Sequence, residues 1–189
     1  MSRPADAERR EGRIDALLGV GLVAVTVYGV IVLPLRPWLL GQAPHLLAVV
    51  TGSRPALVAV GALAAAESAP WFWTLVAATC SIVKFHWVFW LAGRRWGEAA
   101  LVRVSGDSPR ARRKVERAES LVRRYRVPAL WLTYVPIPVA REVVHVALGM
   151  SGVSIRRLLR ADLIAAAVTQ TAALLLGVLL GEHAVAVVK

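Results

Sequence analysis

The chain has 189 residues, 57% of them hydrophobic, with a formal net charge of +11 and a single cysteine. Soluble domains are about 45–50% apolar, so the excess makes lipid the expected solvent, and the length suits one compact domain. Cys80 alone excludes an internal disulfide and any cysteine-based zinc cluster. The positive charge does not point to nucleic acid. Eleven of the 23 Lys and Arg residues lie between Arg94 and Arg126, flanked by apolar runs and without a base-reading motif. That is the pattern of a cytoplasmic loop.

Residues 1–15 are polar and mixed in charge, and read as a short cytoplasmic tail. Arg3, Arg9, Arg10 and Arg13 precede an apolar run, as in a signal peptide. The uncharged run 16–35 is long for such a segment and no convincing small-residue cleavage site follows it, so it reads as an uncleaved spanning helix. Residues 38–66 comprise two short apolar pieces around the breaker TGSRP, which carries Arg54 near its tip. Pieces of that length suit a re-entrant segment. Residues 71–92 predict a second spanning helix, with Trp71, Trp73 and Trp96 near its ends as interfacial anchors and Lys84 and His86 inside.

The basic stretch 94–126 contains a helix signal. Ser108 can cap and Pro109 can occupy the first position. Val115, Ala118, Leu121, Val122 and Tyr125 then recur at helical spacing among arginines. This predicts a basic amphipathic helix lying on the membrane surface, the alternative being a solvated charged loop. Residues 127–149 are apolar but interrupted by Pro136 and Pro138, with Arg141, Glu142 and His145 following. Residues 161–181 predict the last spanning helix, with Asp162 at its start, and 182–189 form a short tail.

Charge sets the expected topology. The basic stretches at 94–126 and at Arg156, Arg157 and Arg160 both belong on the cytoplasmic side. Both fit only if 127–149 enters and leaves on one side, which makes it a second re-entrant segment. The same reasoning puts the N-terminus inside. The expected fold is therefore an all-α membrane protein, with about three spanning helices, two re-entrant hairpins and a basic amphipathic surface helix, within a single domain over 16–189. An inverted repeat is suggested. Each half has a broken segment with an arginine, Arg54 or Arg141, and a spanning helix ending in G-x-x-x-G-E: Gly93, Gly97 and Glu98, or Gly177, Gly181 and Glu182. Arg54 precedes Gly93 by 39 positions, and Arg141 precedes Gly177 by 36. Interrupted apolar segments at matching places in two halves point to a transport site.

Arg141 is the sharpest candidate. An intramembrane arginine costs about 2.5–3.5 kcal/mol on insertion scales, and its planar fork of donors suits a phosphate or carboxylate. Pro138 breaks the helix beside it, which could free backbone N–H groups for an anion. The alternatives are an internal pair with Glu142 or Asp162, or snorkelling to water. His145 lies one helical turn on and could share the anion, carry a proton, or simply pack with a hydrogen bond. His86 shares a stripe with Thr79, Trp90, Gly93 and Gly97, whose glycines allow close helix packing. Lys84 points elsewhere, toward the interface. The histidines His45, His86, His145 and His183 lack metal-ligand spacing, and no HExxH, Walker A, GxGxxG or GxSxG motif occurs. No metal, cofactor or catalytic residue is assigned. An enzyme acting on lipid head groups would have only His145, Glu142 and Asp162 to use beside Arg141.

The stretch YVPIPVAREVVHVALGMSGVSIRRLLRADLIAAA resembles the signature of the DedA family, whose domain is also called VTT or SNARE-associated. Pro138 and Arg141 match its P-x-x-R, Gly149 its glycine, and Ser154, Arg156 and Arg157 its S-x-R-R. Upstream, Ala78, Thr79, Gly93, Arg94 and Gly97 match a second motif, and Gly61–Ala64 resembles the end of the family's first hairpin. The resemblance covers roughly 40–181. It departs from the family where Arg54 stands in place of an acidic residue, where Phe85-His86 replaces Gly-Asp, and where Asp162 and Ala165 replace an asparagine and a glycine. His86, Asp162 and Glu142 are the remaining candidates for proton coupling.

The resemblance implies a two-re-entrant-loop fold that moves lipids between leaflets of a bacterial inner membrane. The substrate class would be a phosphate-bearing lipid such as undecaprenyl phosphate, or a phospholipid. Arg141, Arg54, His145 and Pro138 would then form the head-group site, and Gly93, Gly97, Gly177 and Gly181 the helix packing. The partners expected are membrane lipids, with homo-oligomers allowed and nucleic acid not. The alternative is a non-transporting membrane scaffold or regulator that keeps the fold without its acidic machinery.

Overall fold

A computed structural model describes residues 4–66, 70–135 and 140–188. Every regular element among the described residues is helical: α1 (Pro4–Gln42), α2 (Pro44–Thr51), α3 (Arg54–Ala66), α4 (Trp71–Val83), α5 (His86–Trp96), α6 (Glu98–Ser105), α7 (Pro109–Tyr125), α8 (Ala129–Leu132), α9 (Arg141–Met150) and α10 (Ile155–Val188).

Among the described residues three stretches are long and apolar enough to cross a bilayer: Gly12–Gln42, Trp71–Trp96 and Ile155–Gly181, with mean hydropathies of 2.5, 1.5 and 2.2. At about 1.5 Å per residue each exceeds the roughly 30 Å hydrocarbon core. Helix α1 has no polar face over its apolar run, and a helix that is apolar all round is buried in protein or in lipid. Here Leu17 and Val20 are 70% and 66% exposed, so protein does not cover them. Leu163, Ile164, Val168 and Leu175 on α10 are exposed as well. These features are those of a transmembrane protein.

The first and last spans are longer than the sequence suggests. The supposed tail is helical from Pro4, and α1 continues through Pro34 and Pro37 to Gln42. Proline removes one helical hydrogen bond and crowds the preceding turn, yet such residues are tolerated in membrane helices. Helix α10 begins at Ile155, so Asp162 is about two turns inside it and fully buried, not at its start. The middle span is interrupted at Lys84 and Phe85, which divides it into α4 and α5.

The chain forms two compact units. One comprises Met1–Ile31 and Phe85–Leu158, the other Val32–Lys84 and Leu159–Lys189. In the second unit, α2 and α3 are joined by Gly52, whose φ of +66° is the left-handed conformation that ends α2. Leu47, Ala48, Ala56, Leu57, Val60, Ala78, Ala173 and Leu174 form the core of this unit, drawn from α2, α3, α4 and α10. Val50 presents one of the carbonyl groups left without a helical partner at the end of α2. It accepts from Lys84 Nζ at 2.6 Å and from Ser81 Oγ at 2.6 Å. Lys84, read from sequence as reaching for the interface, thus bonds to the end of α2.

In the first unit α9 lies at the centre, with every residue from Val143 to Gly149 buried. Ser108 caps α7 by accepting from the Ala111 N–H at 3.1 Å, with Pro109 at the first position. The buried stripe of α7 is Ala111, Ala118 and Val122, and α7 packs on α9. Tyr125 is exposed. Protein therefore covers part of the apolar face that the sequence assigns to the membrane surface.

Glycines set the closest helix crossings in both units. In the first, a Cβ on Gly93 of α5 would overlap the Val146 carbonyl of α9, and one on Gly149 would overlap the Trp90 carbonyl. In the second, a Cβ on Gly177 of α10 would overlap the Val58 carbonyl of α3, and one on Gly61 would overlap the Leu174 carbonyl. The register is identical. In each crossing the glycine sits three positions after the residue whose carbonyl faces the other glycine. Gly181 extends the second crossing against Ala62. Gly97 behaves otherwise. Its φ is +55°, nothing lies within 4 Å of where a Cβ would stand, and it ends α5. The sequence reading of Gly97 as a packing glycine is corrected to that of a helix stop.

Candidate functional site

The first candidate cluster grows from the start of α9. Ala140 is extended, at φ −69° and ψ 117°, and the helix begins at Arg141. Arg141 is half-buried. Among the described residues its guanidinium meets the Thr133 carbonyl oxygen at 3.4 Å and stacks over the Tyr134 ring at 4.5 Å. Its Nε is buried and has no hydrogen-bond partner there. A buried donor without an acceptor costs about 1–3 kcal/mol, and more for a charged group.

One turn along, His145 is fully buried, with Nδ1 2.8 Å from the Arg141 carbonyl oxygen. A carbonyl can only accept, so Nδ1 carries the hydrogen. The ring of His86, the first residue of α5, lies 4.2 Å away between centroids, tilted by 39°. The close Gly93 and Gly149 crossing brings these two helices together. Trp90 Nε1 adds a tie by donating to the Val153 carbonyl at 2.9 Å. Histidines 59 positions apart in the chain thus meet, though their spacing suggested no association.

Glu142 is exposed and lines a cleft beside α7. Arg54 is half-buried at the start of α3, in the second unit, and the buried Asp162 belongs to that unit too. Pro138 lies outside the described residues.

Two features escape the sequence reading. Gln170 of α10 is fully buried and its side-chain nitrogen donates to the Gly52 carbonyl at 2.8 Å. Its Oε1 has no hydrogen-bond partner among the described residues. The signal that could have found it is a lone amide in an otherwise apolar span, a residue that is expensive in lipid. The second feature is a cleft of about 400 Å³ in the first unit, where Arg103, Arg110 and Lys114 converge. From sequence these are only three of many cations in a basic loop.

No protein-family model, curated protein or solved structure matches this chain.

Proposed function

We propose that the chain carries a phosphate-bearing lipid between membrane leaflets, with the head group held by Arg141. The observation that carries this reading is the Arg141 side chain itself. It is a permanently charged fork in an apolar, interrupted segment, with a buried Nε that no described residue satisfies. A tetrahedral oxyanion offers the acceptors that the Thr133 carbonyl and Tyr134 ring do not. A lipid brings that anion and keeps its apolar tail in the surrounding bilayer. His145 and His86 are the adjacent groups able to take part in proton movement.

The duplicated glycine crossing supports an inverted repeat with re-entrant α2–α3 and α8–α9 segments, entered from opposite sides, the N-terminus being cytoplasmic in an inner membrane. The glycine register refines the sequence pairing. Aligning Gly61 with Gly149 sets Arg54 against Glu142 and places Ser53 opposite Arg141. It also sets Gln170 against His86, seven residues before Gly177 and Gly93. Arg54 is then a neighbour of the equivalent position and not its counterpart.

The test is translocation of a fluorescent polyprenyl phosphate in proteoliposomes. The native chain is expected to exceed empty liposomes, and Arg141→Ala to lose at least tenfold while keeping its unfolding midpoint. Native protein no faster than empty liposomes would sink the proposal for this substrate class. A second reading, a membrane scaffold or regulator, is favoured by Arg54 and His86 standing where the resembled family has acidic residues. It expects no transport and a lowered midpoint for Arg141→Ala.

A further inference from the structure

We infer that the cleft beside α7 is a separate binding site for a membrane lipid with a phosphomonoester head group. Its polar part takes Arg103 from α6, Arg110 and Lys114 from α7, and Glu142 from the first turn of α9. Thr26, Ser105 and Ser108 line it too, with each hydroxyl already engaged: Thr26 donates to the Leu22 carbonyl, Ser105 to the Leu101 carbonyl, and Ser108 caps α7. Three other cations of this unit are neutralised: Arg95 pairs with Asp15 at 2.7 Å, Arg112 with Asp107 at 2.8 Å and Arg123 with Glu119 at 3.5 Å. Arg103, Arg110 and Lys114 form no ion pair among the described residues. Arg103 is instead held over the Trp96 ring at 4.6 Å.

Three cations facing one carboxylate leave a surplus of two positive charges. A phosphomonoester carries about −1.5 to −2 at neutral pH, whereas a phosphodiester carries a single charge, so the charge balance favours the monoester.

The apolar surface is supplied by α1. A second cleft, of about 730 Å³, shares Leu22, Thr26 and Arg103 with the first. It runs along one face of α1 from Asp15 through Gly19 and Val23 to Val27. That is about 18 Å of helix. Gly19 faces open space in this trough, with nothing within 4 Å of where its Cβ would be. A basic pocket continuous with an apolar trough matches an anionic amphiphile better than a free anion. This site uses none of the residues assigned to Arg141's cluster, and it stands whether or not the chain transports.

The experiment is calorimetric titration of the purified full chain in neutral detergent with short-chain phosphatidate, phosphatidylcholine and glycerol phosphate. Phosphatidate is expected to bind at least tenfold more tightly than either other probe. Arg110→Ala/Lys114→Ala should weaken phosphatidate at least tenfold. Arg113→Ala/Arg117→Ala removes the same charge from the same helix outside the cleft, and should change it less than twofold. Gly19→Phe should weaken phosphatidate by filling the trough. Equal losses in the two double variants, or equal binding of phosphatidylcholine, would overturn the proposal. So would glycerol phosphate binding as well as phosphatidate, which would reveal a pocket for free phosphate. Because binding is read without transport, a silent translocation assay leaves this inference intact.

Discussion

The side-chain amide of Gln170 donates to the carbonyl oxygen of Gly52 at 2.8 Å, joining residues 118 positions apart. Gly52 is the left-handed turn between α2 and α3, so this one bond ties that turn to the middle of α10. Gln170→Ala should destabilise the protein by about 1–3 kcal/mol, the cost of leaving a buried carbonyl unpaired. Gln170→Glu should do no better, because a carboxylate has no hydrogen to offer when ionised. Denaturant unfolding in mixed micelles measures both. A neutral Gln170→Ala would show that this bond does not stabilise the unit.

His145 gives a parallel case in the first unit. Its Nδ1 hydrogen goes to the Arg141 carbonyl, so the ring fixes the first turn of α9 as well as standing beside His86. His145→Leu keeps the approximate volume but loses the donor, and is expected to cost about 1 kcal/mol or more. His145→Asn retains a donor close to the ring's Nδ1 and should recover part of that loss. If both variants unfold alike, the hydrogen bond is not what the site requires.

Helix crossings made over glycine leave no room for a side chain. Gly93→Val and Gly149→Val each place atoms where a facing backbone carbonyl already stands. Each is expected to destabilise by at least the 1–3 kcal/mol or so typical of overpacking, and Gly61→Val and Gly177→Val should behave alike. Gly12 and Gly29, with nothing within 4 Å, should accept alanine without loss. Comparing unfolding midpoints across the set tests whether the two crossings are equivalent.

The cap of α7 makes a smaller prediction. Ser108→Ala removes the acceptor for the Ala111 N–H and should cost about 1 kcal/mol. Ser108→Asp should restore the cap. Hydrogen exchange at the first turn of α7 reads this directly, with faster exchange expected in the alanine variant alone.

Much of the architecture could be read from the chain because the bilayer imposes it. A span must be about 20 apolar residues and must satisfy its own backbone, so the three long helices stand out by composition. Ser108-Pro109 marks the start of α7, and TGSRP the turn between α2 and α3, because caps and glycine turns depend on local sequence. The ends of α1 and α10 are less legible. Pro34 and Pro37 look like stops, but the chain passes through them without a break.

What the sequence by itself determined was the solvent, the number of long helices, the turn at TGSRP and the presence of charge in apolar surroundings. Those follow from residue type and short-range spacing. The tertiary structure alone decided which helix meets which. Helix α9 packs on α5 and α3 on α10, so each glycine crossing joins a broken segment to a span other than the one that follows it. That choice brings His86 to His145, gives Gln170 its acceptor, and gathers Arg103, Arg110 and Lys114 around one cleft. The two former contacts join residues far apart in the chain. They depend on where a glycine lets two backbones touch, and no local pattern encodes the partner.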